Sequence, residues 1–221
     1  TDFYGSMTNN GTLYTSSTGG IIVIRCPSLV NNGLVSLASS NLYFDSTTSL
    51  SGTGSFATHA NLTGNAIVTL NSTHQMSSVN INTGTVFNIS NRLLKLTASN
   101  PITGFGSMIT AGSTIEYNGA SVQAISSGII YGGLRINNPN GTYLAAGFSV
   151  NDTISVISGD IDLNNSVIML SPVGYLSETP GNTIKGTSGY IYTTRNINAP
   201  ASLNVGGLGA VLTSSANLGI T

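Results

Sequence analysis

Asp160 and Asp162, in the string SGDIDLNN, form the only close carboxylate pair in this sequence. On a strand, side chains i and i+2 point the same way. Both could then meet one Ca²⁺ through oxygen ligands, or flank a glycosidic bond as acid and nucleophile or base. Enzymes that cut polysaccharides set several acids with Lys or Arg along one groove. Here Asp152 is the nearest charged residue before the pair and Lys185 the nearest basic one, so a structural, turn-capping role is preferred and no catalytic residue is assigned. His59 and His74 have no Cys, Asp or Glu at ligand spacing, so zinc is not expected and both are read as exposed or turn histidines. Cys26 follows the apolar run IIVIR and reads as a small buried hydrophobe. The string VGGLGA at 205–210 lacks the GK[ST] ending and following helix of a phosphate loop, and reads as a tight turn. Tyr117, Tyr131 and Tyr143 are read as exposed side chains that either stack on sugars or, preferably, pack between repeating units.

Composition narrows the function classes. The chain has 221 residues, of which 40% are hydrophobic, enough for one domain with a core. Charged residues make up only 6%, against about 25% in an ordinary domain. Six basic residues and a net charge of −1 leave almost no means of neutralising phosphates, so a nucleic-acid partner is not expected. No apolar run reaches the ~20 residues of a membrane helix, so membrane insertion is not expected. Ser, Thr, Asn and Gly must cover the surface instead. The threonines do not recur at one position of a repeat, so a flat ice-binding array is not expected either.

The elements that would carry these residues are strands. Short runs such as AIVTL (66–70), TVFNI (85–89), LLKL (93–96), TIEY (114–117) and TISVI (153–157) nearly alternate between apolar and polar, the pattern of strands with one buried face. No stretch keeps a helical period. The Asn-Gly pair at 10–11 returns at 32–33, and the pair at 118–119 returns at 140–141, the same interval of 22 both times. Aligning NNGTLYTSS with NNGLVSLASS sets Leu13 on Val35 and Thr15 on Leu37. Equal turn spacing is what a solenoid returning to the same corner produces. The expected fold is therefore all-β, a parallel β-helix (β-solenoid) with coils of about 22 residues, with a β-sandwich as the alternative. Asn suits the corners because it tolerates left-handed backbone and can bond to an Asn in the next coil. The solenoid is expected over residues 1–189. The segment 190–221, rich in Pro and Gly, leads out of it or contacts a neighbour. Neither end carries an amphipathic helix that could cap the stack.

Three strings, STIEYNGASVQAIS (113–126), LRINNPNGTYLAAGFSVNDTISVISGDIDLNNSVIML (134–170) and GYLSETPGNTIKGTSGYIYTTRNINAP (174–200), resemble the repeat regions of large secreted or cell-surface proteins of the Bacteroidetes and Chlorobi–Ignavibacteria type. NNGTL at 9–13 belongs to the same style. The resemblance covers about half the chain well. It implies a bacterial extracellular or cell-surface location, export often by the type IX route, and adhesin, stalk or matrix roles without catalytic residues. No leader or sorting signal is visible, which suggests a segment or a processed product. Bacteria of this group modify Ser or Thr in the motif D-[ST]-[hydrophobic or Thr]. That motif occurs at 45–47 and 152–154, so the resemblance makes Ser46 and Thr153 glycosylation candidates. N-x-[ST] triplets at Asn10, Asn61, Asn71, Asn88, Asn140, Asn151 and Asn164 are expected by chance in such a chain. The expected function is a rigid extracellular rod, a surface stalk or adhesin segment or a filament subunit, without cofactor. It would associate end to end or with further domains of a longer chain. A carbohydrate-binding module, with a groove lined by Tyr and Asp, is the alternative, and a polysaccharide-degrading β-helix enzyme the third reading.

Overall fold

Strands of two to eight residues alternate with turns throughout this chain, and every strand needs a neighbour for its backbone groups. A computed structural model describes residues 1–15, 19–37 and 41–221. There is no helix among the described residues. The strands stack in parallel as a β-solenoid of about nine turns, so the sandwich alternative is excluded.

Each coil has three faces. Face one begins with Asp2–Phe3, Ile21–Ile24 and Asn41–Phe44, then the second halves of the long strands Ser55–Leu62 and His74–Ile81, then Ile102–Gly104. Gln123–Ile125, Thr142–Leu144, Ile161–Asp162 and Ile184–Lys185 continue it, joined below by Ala124 N donating to Ser99 O. Face two runs from Met7–Asn9 through Ser28–Asn31, Thr48–Ser51, Ile67–Leu70 and Val86–Asn88 to Ser107–Ile109. Above these lie Ile130–Tyr131, Phe148–Val150, Val167–Leu170 and Tyr190–Thr193. Face three holds Thr12–Tyr14, Leu34–Ser36, the first halves of the two long strands, Leu93–Leu96, Thr114–Tyr117, Gly133–Asn137, Thr153–Ser158 and Tyr175–Glu178.

The coils hold about 20 residues each, slightly fewer than the Asn-Gly interval suggested. On face three the step is 22 at Thr12↔Leu34, 21 at Leu34↔Ser55, 20 at His74↔Leu94 and 19 at Thr114↔Gly133. The extremes are 18 at Leu42↔Ala60 and 23 at Val79↔Ile102. The pairing of Leu13 with Val35 is as aligned, while residues 16–17 and 38–40 of the two aligned strings lie outside the described residues. The second Asn-Gly spacing is not a coil step. Tyr117 pairs with Ile136, which brings Asn118 level with residue 137 rather than with Asn140. Turn lengths differ from coil to coil, so equal spacing identifies equivalent corners only in the first pair.

Inward positions form continuous files. Val35, Phe56, Met76, Leu96, Tyr117, Ile136 and Val156 follow one another on face three, all at 1% exposure or less. Each such side chain contributes about 1.5–3 kcal/mol by leaving water. Cys26 is buried in this core and burial pushes its thiol up, in keeping with the small-hydrophobe reading.

Corners are four-residue turns, closed for example by Ala66 N to Thr63 O, Ser113 N to Thr110 O and Gly141 N to Asn138 O. Asn65, Asn91, Asn164 and Asn165 take positive φ there, where Asn costs little. At the lowest corner Asn9 Nδ2 donates to Asn31 Oδ1 at 2.8 Å and Asn32 Nδ2 to Asn10 Oδ1 at 2.9 Å, the expected bonds between stacked Asn. Gly33 lies so close over Gly11 that a Cβ on it would fall 1.9 Å from the Gly11 carbonyl oxygen.

Parallel stacking continues through Tyr190–Thr193, beyond the boundary expected at residue 190. Two antiparallel pairs follow, Asn196–Asn198 with Asn217–Ile220 and Leu203–Asn204 with Val211–Leu212. The glycine string 205–210 is the tight turn joining the latter pair. It folds back on the last coil, with Leu176 N donating to Gly206 O and Leu208 packing against the core.

Candidate functional site

The upper half of face one carries a groove. Its floor is the sheet of Gln123–Ile125, Thr142–Leu144, Ile161–Asp162 and Ile184–Lys185. Register sets Ala124, Tyr143, Asp162 and Lys185 in one outward file, one residue per coil. The turns 138–141 and 179–182, each closed by a backbone bond, contribute Asn140, Gly181 and Asn182 to the walls. The groove encloses about 710 Å³ and also exposes Val122, Asp160 and Asn164.

Asp160 and Asp162 both line this groove, although only Asp162 lies in the strand. Lys185 Nζ pairs with Asp160 Oδ2 at 2.5 Å, and Thr183 N donates to Asp160 Oδ1 at 2.9 Å. These bonds, that to Lys185 first, hold the Asp160 carboxyl below the usual carboxylate range, and Asp160 in turn raises Lys185. That shift is opposite to the one a general acid needs. Asp162 Oδ1 accepts from Asn164 N at 2.8 Å. For calcium, Asp160 is already neutralised by Lys185, and no group of three His, Cys, Asp or Glu stands together among the described residues. Lys185, 25 residues from Asp160 in sequence, stands one coil above it.

No family model, no curated protein and no solved structure matches this chain. The other sequence-derived sites therefore stand on geometry alone. Tyr117 and Tyr131 are not exposed; both are fully buried. Tyr131 Oη donates to Ser126 O at 2.8 Å, the two hydroxyls meet at 2.7 Å, and Ser126 N donates to Tyr117 Oη at 3.0 Å. Burial raises both phenols. Of the three tyrosines, only Tyr143 keeps an exposed ring.

His74 is buried as well, contrary to the exposed or turn reading. It occupies an inward position below Leu94, edge-on to Phe56, with Ser72 Oγ 3.1 Å from Nε2. His59 Nδ1 meets Ser78 Oγ at 2.6 Å. Ser46 Oγ is buried and without a hydrogen-bond partner among the described residues, so a glycan there would need this corner to open. Thr153 Oγ1 donates to Asp152 Oδ1 at 3.2 Å in a half-buried position.

Ion pairs were the features sequence reading missed. Asp2, Arg25 and Asp45 form one file across three coils, and Lys95, Glu116 and Arg135 another. Every ion pair among the described residues joins adjacent coils. Glu116 is held between Lys95 Nζ at 3.6 Å and Arg135 Nη1 at 3.2 Å, and its side chain is only 3% exposed.

Proposed function

We propose that this protein is an extracellular structural rod, a stalk or adhesin segment of a bacterial cell surface, as in the Bacteroidetes and Chlorobi–Ignavibacteria proteins that its strings resemble. The observation that carries this reading is the stacking of each coil directly on the next along one axis. The backbone ladder is unbroken on face three and is interrupted once on faces one and two, apolar files fill the interior, and side-chain bonds cross between coils at corners and on the faces. Such a body is stiff along its axis, and its function needs no chemical step. The near-neutral Ser, Thr and Asn surface suits close packing against glycans or other rods. Self-association end to end, or continuation into further domains, belongs to the same reading.

Immunogold labelling of intact source cells tests the location, with surface label expected; label confined to the cell interior overturns the proposal. Electron microscopy of the native material tests the form. Nine coil steps at about 4.8 Å give a stack of roughly 45 Å. Straight rods of at least that length, or fibres with that axial repeat, are expected, and flexible or compact particles contradict a rod.

A further inference from the structure

We propose that the groove on the upper half of face one binds a neutral oligosaccharide, with the Tyr143 ring as platform and Asp162 as acceptor for sugar hydroxyls. Shape is the first argument. The lining comes from successive coils, so the groove runs along the stack and suits a linear ligand, with one outward side chain about every 4.8 Å. Its chemistry is graded along that line. The lower end is apolar, with Val122 51% and Tyr143 40% exposed. The upper end presents Asp162, the Asp160–Lys185 pair, Asn164 and Asn182. A pyranose has the same division, a C–H face that stacks on an aromatic ring and an edge of hydroxyls that both donate and accept.

Rigidity is the second argument. Asn140 Nδ2 donates to Ala120 O and Asn164 Nδ2 to Leu144 O, each in the coil below. These bonds fix the carboxamides and leave their Oδ1 atoms as acceptors. The Tyr143 hydroxyl and Asp162 Oδ2 have no hydrogen-bond partner among the described residues. A polar set held by other bonds loses little entropy on binding. Charge is the third argument. Asp160 and Asp162 against Lys185 leave the groove one net negative charge, which disfavours uronate, sulfate and phosphate. This site is independent of the rod reading, and its failure leaves that reading standing.

Isothermal titration calorimetry of the full chain tests it, using hexasaccharides of glucose, mannose and xylose in β-1,4 and α-1,4 linkage beside hexagalacturonate. At least one neutral hexasaccharide is expected to bind at micromolar to millimolar concentration. Tyr143→Ala should weaken it about tenfold or more, an amount within reach of one stacked ring, and Asp162→Ala should weaken it too. Tyr14→Ala, an exposed tyrosine of face three, should leave binding unchanged, and all three variants should keep the melting temperature. Absence of binding by every neutral hexasaccharide overturns the proposal. So does binding that survives Tyr143→Ala, or hexagalacturonate binding as tightly as the neutral sugars.

Discussion

Gln123 is wholly buried, and all its polar capacity is used. Its Nε2 donates to Leu96 O at 3.0 Å and Ala98 O at 2.8 Å, while Oε1 accepts from Gly119 N and Asn138 Nδ2. A side chain here replaces a stretch of missing backbone ladder. Gln123→Leu fills the same space but strands Gly119 N and Ala98 O, while Leu96 O keeps Asn118 N and Asn138 Nδ2 keeps Ser121 O, so a loss of about 2–4 kcal/mol is expected by urea denaturation. His74 acts through pH. Burial holds its imidazole below the usual range, so the fold prefers the neutral ring. The stability this contributes is complete above the unfolded value of about 6.5 and declines as pH falls toward the lower folded value. His74→Leu, which extends the file of Leu94, should flatten the fall in melting temperature between pH 7 and pH 5. An unchanged slope would move the acid sensitivity to other groups, His59 first, which burial shifts the same way.

Charges are elements of assembly in this chain. Their scarcity was plain in composition, but their pairing was not, because partners stand a whole coil apart in a repeat whose step varies. Glu116→Gln leaves Lys95 and Arg135 facing each other without an anion. Both cations are about one-third exposed, so solvent screening limits the loss to about 1–2 kcal/mol. Added salt should shrink the difference from wild type in chemical denaturation. Corners respond to sterics instead. Gly33→Ala drives a methyl into the Gly11 carbonyl and should open the lowest corner, read as a lower first melting transition.

The same contrast explains what sequence could tell. Strand type followed from alternation in runs such as TIEY and LLKL, and stacking followed from Asn10-Gly11 repeating at Asn32-Gly33. The burial of Tyr117, Tyr131 and His74 did not, because an isolated tyrosine or histidine looks the same on either side of a strand. Whether it points inward depends on register, and the variable turns conceal register. Asp160 and Asp162 were legible as a pair, whereas Tyr143 and Lys185 joined them only through coil stacking.

At the scale of the molecule, the coils are interchangeable to the extent that register is kept. Gln75 pairs beside Lys95 in the same file through His74↔Leu94, so deleting residues 75–94 removes one whole coil and keeps every inward side chain inward. That variant should fold, with a smaller urea m-value in proportion to the lost surface. Deleting 75–93 instead shifts the strand by one residue and turns its apolar file outward. It should be insoluble or molten.

The two ends of the stack are unlike. Among the described residues nothing pairs beneath Asp2–Phe3, Met7–Asn9 or Thr12–Tyr14, while the glycine turn at 205–210 is bonded onto the last coil. Because each coil is held only by its neighbours, amide protons in this chain should trade with heavy water as a travelling front. Deuterium would reach the file around Ile115 and Leu134 last, since coils pair on both sides of it, making the molecule a clock read from the outside of the stack inward.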